Sequence, residues 1–227
     1  MARYPRLHVL TTMVETGLVP LFYNPELEVA AKIVNACLDG GVRCIEFTNR
    51  GDRAQLVFGQ LAERFQDEDR LILGVGSVMD EVTAGLYIQL GANFVVSPVL
   101  NPRIARICNR RKIPYSPGCA TTSEISAAEE LGVEIVKIFP GSQVGGPAFV
   151  KAVRAPMPWT SIMPTGGVSP TEENLQAWFE AGVACVGMGS KLIRKDLVEA
   201  GEFAEITRMT SQALRWIRAI RENNPVK

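Results

Sequence analysis

Residues 130–138 read ELGVEIVKI: a helix end, a glycine, then an apolar β-rich run. The same order recurs in DGGVRCIEF (39–47), QLGANFVVS (89–97) and EAGVACVGM (180–188). Glycine just past an apolar-periodic segment is where a helix stops in the left-handed conformation. Gly40-Gly41, Gly91, Gly132 and Gly182 therefore mark four helix-to-strand junctions. Working outward, β-rich runs lie at VPLFYN (19–24), RCIEFTN (43–49), LILGVGS (71–77), NFVVSPV (93–99), PYSPGCA (114–120), IVKIFPG (135–141), SIMPTGG (161–167) and ACVGMGS (184–190). Amphipathic segments such as Pro25–Asp39, Arg53–Phe65, Asp80–Leu90 and Glu172–Ala181 separate them. Alternating β and α units imply a parallel sheet with right-handed crossovers. Eight such units predict one (β/α)8 TIM barrel domain over residues 1–227. An extra N-terminal helix within Tyr4–Thr16 should close its bottom, and Gly201–Asn223 should be the last outer helix. A doubly wound open sheet would want a glycine-rich dinucleotide fingerprint after the first strand, and VPLFYNPELEV has none.

Composition narrows the function. Twenty-four basic residues balance twenty-four acidic ones, which argues against a nucleic-acid or anionic-membrane partner. No apolar run approaches the roughly 20 residues that span a bilayer. The start, MARYPRLHVL, lacks a signal segment. Cys37, Cys44, Cys108, Cys119 and Cys185 are odd in number and unclustered, the pattern of reduced thiols in a cytoplasm. With the single histidine, His8, read as structural or surface, no transition-metal site and no cofactor is expected.

Barrel chemistry sits at the C-terminal ends of the strands. Lys137 lies there amid Ile135, Val136, Ile138 and Phe139. Strand alternation places Ile135, Lys137 and Phe139 on one face, inside the barrel. Burial lowers an ammonium's pKa, and a neutral amine attacks carbonyls; the competing reading is a lysine paired to a core carboxylate. In the second run, Cys44, Glu46, Thr48 and Arg50 share a face, opposite Ile45 and Phe47. Glu46 is a candidate general acid/base and Arg50 a candidate clasp for a carboxylate. Against that stands a Glu46–Arg50 or Glu46–Lys137 ion pair serving structure alone. Thr165-Gly166-Gly167 and Gly189-Ser190 end the last two runs, where many barrels bind phosphate through backbone N–H groups; tight turns with no ligand are the alternative.

With these residues in place, the chain resembles the 2-keto-3-deoxy-6-phosphogluconate / 4-hydroxy-2-oxoglutarate aldolase family from about Val19 to Lys191. The matching pieces include VPLF (19–22), GGVRCIEFTNR (40–50), GVGSV (74–78), GANFVVSP (91–98), IPYSPGCATTSE (113–124), VKIFPG (136–141), MPTGGVS (163–169) and VGMGS (186–190). The resemblance implies a metal-free class I aldolase, with Lys137 as Schiff-base lysine and Glu46 as proton shuttle. It implies a keto-acid pocket of Arg50, Ser77, Pro98 and Thr165, with Thr48 added on the shared face. It also implies a distal phosphate site at Gly166, Gly167, Gly189 and Ser190, a small-molecule 2-keto acid substrate, and a homotrimer. The expected substrate is 2-keto-3-deoxy-6-phosphogluconate; the alternatives are 4-hydroxy-2-oxoglutarate or another unphosphorylated 2-keto acid, and a catalytically silent sugar-phosphate-binding barrel. An epimerase or phosphosugar isomerase barrel would not need the isolated Lys137. Many family members carry a basic residue just after the first strand. Here that stretch is Phe22-Tyr23-Asn24, which implies a smaller preference for phosphorylated substrate.

Overall fold

The computed structural model describes residues 2–223; the outermost positions of the expected 1–227 domain lie outside it. Its elements are α1 Arg6–Thr16, β1 Leu18–Phe22, α2 Leu27–Asp39, β2 Cys44–Thr48, α3 Ala54–Arg64, β3 Ile72–Gly76 and α4 Glu81–Gln89. There follow β4 Val95–Val96, α5 Pro102–Arg111, β5 Tyr115–Ser116, β6 Gly118–Cys119, α6 Thr122–Glu130, β7 Val136–Ile138, α7 Gly146–Arg154, β8 Ile162–Pro164, α8 Glu172–Glu180, β9 Val186–Met188, α9 Lys195–Ala200 and α10 Phe203–Asn223. Every strand pairing is parallel. The strand order is β5-β4-β3-β2-β1-β9 in one sheet and β6-β7-β8 in the other.

The fifth expected run is therefore two short strands. The cause is Pro117, which has no N–H to donate and breaks the ladder. Before it, the Ser116 carbonyl accepts from the Ser97 N–H (3.1 Å); the Pro117 carbonyl accepts from the Lys137 N–H (3.0 Å) on the other side. The two sheets also meet at a parallel bridge between Thr165 and Gly187.

The helix ends follow local chemistry. Gly41, Gly91, Gly132 and Gly182 all have positive φ, as their place after a helix requires; Gly40 is right-handed at φ −71°. Asp80, Asn101, Thr121 and Thr171 cap α4, α5, α6 and α8 by accepting from Thr83, Arg103, Glu124 and Asn174 N–H groups, each cap contributing about 1 kcal/mol. The short α9 between β9 and the long α10 is not foreseen from the sequence.

Two apolar clusters show which way the strands face. Ile45, Phe47, Val136 and Ile138 join the cluster formed with the helices. Val19, Cys44, Ile72, Phe94, Val96, Ile135, Met163 and Cys185 form the other, with Val9, Leu10 and Met13 of α1. Gly74 makes room for that second cluster, since a Cβ there would stand 2.4 Å from the Phe94 ring. The α1 side chains thus pack on the N-terminal ends of the strands, which leaves the C-terminal ends for polar groups. Among the described residues, no helix is long and apolar enough to cross a membrane.

Candidate active site

Glu46 and Lys137 continue the inward faces of β2 and β7 one step above Cys44 and Ile135. Glu46 is 1% exposed and Lys137 4%. Such burial is rare for either residue type without a paired partner. Yet Glu46 Oε2 has no hydrogen-bond partner, and no ion pair joins Glu46 to Lys137 or Arg50. The three charges nevertheless act on one another from beyond ion-pair distance. The Lys137 amine instead stands 4.9 Å from the centre of the Phe139 ring.

The electrostatics follow from that burial. Desolvation pushes the Lys137 pKa down, Glu46 opposes it, and Arg50 pushes it down further. Desolvation pushes the Glu46 carboxyl up, against the pull of Lys137 and Arg50. Both shifts favour the uncharged forms, an amine with a free lone pair beside an acid with a proton to give.

A cleft of about 620 Å³ opens at the C-terminal ends of β1, β8 and β9; Glu46 and Lys137 do not themselves line it, but Phe139, whose ring the Lys137 amine faces, does. Arg50, Thr165, Gly166, Gly167, Gly189 and Ser190 line it, with Leu21, Phe22, Tyr23, Asn24, Phe139, Gly187, Lys191 and Lys195 among their neighbours. The Thr165 hydroxyl is buried with no partner, and it fits only because residue 187 is glycine: a Cβ there would lie 2.3 Å from Thr165 Oγ1. The loop after β7 holds the loop after β8, as Gly141 and Ser142 N–H groups donate to Thr165 and Gly166 carbonyls (2.8 and 3.0 Å). Within the described residues the amides of Gly166, Gly167, Gly189 and Ser190 donate no hydrogen bond. Gly166 and Gly167 both adopt positive φ, so their loop can bring backbone donors close to an anion.

The remaining expected residues lie elsewhere. Thr48 is fully buried, and its hydroxyl donates to the Phe22 carbonyl (3.2 Å), tying β2 to β1. Ser77 and Pro98 are half-buried and do not line the cleft. Ser77 holds a left-handed φ of 59° directly after β3, a strained conformation of the sort that clusters at functional sites. Pro98 packs its carbonyl where a Cβ on residue 118 would sit, 2.2 Å away. Gly76, which makes space for Glu46, is not singled out by the sequence, and Gly187 is noticed there only as part of a glycine-rich strand end and not as the space for Thr165; a small residue in a strand beside a buried polar one is the signal for both. Among the described residues, no three His, Cys, Asp or Glu side chains come together in a metal-binding group.

The aldolase family model described as KDPG and KHG aldolase matches residues 9–209. A 2-dehydro-3-deoxy-phosphogluconate aldolase of Treponema pallidum is 31% identical over 197 residues, 87% of this chain and 91% of that protein. A KHG/KDPG aldolase of Escherichia coli is 30% identical over 204 residues, 89% of this chain and 93% of that one. The crystal structure of a KDPG aldolase from Legionella pneumophila, with pyruvate captured at low pH as a covalent carbinolamine intermediate, superposes with a TM-score of 0.82 at 25% identity, covering 90% of this chain and 97% of that one.

Proposed function

The chain belongs to the KDPG and KHG aldolase family, and from that premise we propose how its own residues cleave a 2-keto-3-deoxy sugar acid to pyruvate and an aldehyde. The observation that carries the proposal is Lys137, a buried amine without an ion-pair partner on the inward face of β7, electrostatically coupled to the buried Glu46 of β2.

Neutral Lys137 Nζ attacks the C2 carbonyl of the substrate and gives a carbinolamine. Glu46 donates a proton to the departing hydroxyl, which leaves as water, and an iminium remains. The Glu46 carboxylate left by that step takes the proton of the C4 hydroxyl, which restores its acid form. The C3–C4 bond breaks, its electron pair moves into the iminium, and the aldehyde leaves. The enamine then takes a proton at C3, from Glu46 in this reading, and water hydrolyses the adduct to pyruvate and free Lys137. Arg50, which lines the cleft, is the residue assigned to the carboxylate; Ser77, Pro98 and Thr48 stand outside the cleft lining and support it from behind, Thr48 by tying β2 to β1. Thr165 offers its free hydroxyl to the sugar chain. The amides of Gly166, Gly167, Gly189 and Ser190 receive a distal phosphate. No metal or cofactor enters this sequence of steps, because the iminium is the electron sink.

The architecture we infer around this chemistry is a single (β/α)8 barrel. Its support is that β5 and β6 are contiguous across Pro117, and that the Thr165–Gly187 bridge joins β8 to β9. The α1 helix then closes the bottom. A homotrimer is the assembly we expect, and exposed Met79, Val82, Leu86 and Val99 offer apolar surface for it. Five free, buried cysteines suit a cytoplasmic setting.

Incubation with pyruvate and borohydride tests the central step. One pyruvate-derived mass should be added per chain, on the peptide containing Lys137, and Lys137→Met should abolish both adduct and cleavage while the protein stays folded. A trapped adduct on another lysine, or none, would overturn the mechanism.

A further inference from the structure

At its β1 and β9 sides the cleft has one uncharged wall and one basic wall. On the β1 side stand Tyr23 and Asn24. Neither carries charge. The Tyr23 hydroxyl lies where a Cβ on Gly51 would come within 2.0 Å of it, and Asn24 Oδ1 accepts from the Glu26 N–H (2.9 Å). On the β9 side stand Lys191 and Lys195, with Glu199 as the only acidic residue of the cleft wall among the described residues.

The basic run that follows β9 is divided by its contacts. Arg194 does not line the cleft; its guanidinium forks onto Asp196, with Nε donating to Oδ1 at 3.0 Å. Lys195 Nζ stands 3.5 Å from Glu199 Oε1, which offsets its charge. Lys191 has no side-chain hydrogen bond and no ion pair among the described residues. Its backbone, in contrast, is pinned. Gly189 accepts from the N–H groups of Leu192 (2.9 Å) and Ile193 (3.0 Å), and both of those side chains are buried. A tight, anchored turn thus carries one uncommitted ammonium beside the free amides of Gly189 and Ser190.

We propose, on the footing of the aldolase reading above, that Lys191 is the specificity residue that recognises a distal phosphate monoester of the substrate from the β9 side of the cleft. A phosphate monoester presents three terminal oxygens and a charge near −2. The glycine-loop amides and one ammonium together match that tetrahedral dianion; a distal carboxylate, with two oxygens in a plane, leaves part of the set unused. Lysine acts here as a point charge on a flexible stem, and needs no fixed fork geometry to reach the anion. Arg50, the other cleft-lining cation with no ion pair among the described residues, belongs to the β2 wall. The two ends of a doubly anionic substrate would then meet two separate cations, which also sets the direction in which the substrate enters.

The test compares kcat/KM for 2-keto-3-deoxy-6-phosphogluconate, its unphosphorylated counterpart and 4-hydroxy-2-oxoglutarate in wild type and Lys191→Met. The ratio of phosphorylated to unphosphorylated substrate should fall roughly 5- to 30-fold, the lower part of the range for a charge-assisted bond because Lys191 is exposed. Lys191→Arg should keep most of the ratio, and Lys151→Met, on exposed α7 surface, should leave it unmoved. Inorganic phosphate should inhibit Lys191→Met more weakly than wild type. An unchanged ratio, or an equal loss with 4-hydroxy-2-oxoglutarate, would overturn the assignment. Borohydride trapping of pyruvate separates this from the mechanism itself, since pyruvate has no distal group. An adduct in both proteins with no change in ratio sinks Lys191 alone; no adduct in wild type sinks both.

Discussion

The carboxylate of Glu46 occupies the space that a side chain on Gly76 would fill: a Cβ at Gly76 would stand 1.6 Å from Glu46 Oε1. Gly76 ends β3, which pairs along its length with β2. The missing side chain is therefore what lets a buried carboxylate lie flat against the neighbouring strand. Gly76→Ala must displace Glu46, because backbone on both strands is held by the ladder. Overpacking of this kind costs about 1–3 kcal/mol. The expected outcome is a folded enzyme with a lowered melting temperature whose cleavage rate falls roughly 10²-fold, as for loss of a general acid/base. Pyruvate should still be trapped on Lys137. Turnover near the wild-type level in Gly76→Ala would show that the Glu46 position is not critical.

Glu46→Gln probes the same group from the other side. It keeps the shape of the side chain and removes the exchangeable acidic proton. Cleavage should slow by roughly 10² or more, and solvent exchange of the pyruvate methyl protons should slow with it, since that exchange runs the enamine step in isolation. Both rates are readable by NMR in deuterated buffer. Exchange at the wild-type rate would mean that another base serves the enamine.

The legible part of this protein is whatever depends on local periodicity. The β2 alternation of Cys44 and Glu46 against Ile45 and Phe47 can be read directly, and the two apolar clusters divide along that line. The isolation of Lys137 among apolar neighbours is equally plain, and its burial follows. The four junction glycines mark helix ends because backbone sterics act within a few residues. What escapes the sequence depends on contacts across strands. Gly76 and Gly187 look like ordinary strand glycines until Glu46 and Thr165 are seen against them. The run around Pro117 reads as one strand, although its two halves serve different neighbours. Lys191, Arg194 and Lys195 form one basic cluster on paper; only side-chain directions separate the pair in the cleft from the arginine bound to Asp196.

The pH dependence of adduct formation should report the electrostatics around Lys137. Burial, then Arg50, push its pKa down, and Glu46 pushes it up. The acid limb of pyruvate adduct formation should therefore lie well below the ordinary lysine value of 10.5. Arg50→Leu removes one of the lowering influences, so the protonated amine becomes less unfavourable and the limb should move to higher pH. Stability gives the sign independently. Between the depressed folded pKa and 10.5, the unfolded chain holds a proton that the folded chain has released, so this group's contribution rises with pH across that window. Arg50→Leu should narrow the window from its lower edge. The measurement is the initial rate of adduct formation under borohydride at saturating pyruvate, across pH, for both proteins; saturation separates the titration from any loss of carboxylate binding. A limb that stays put, or moves to lower pH, would mean that Arg50 does not act on the Lys137 charge.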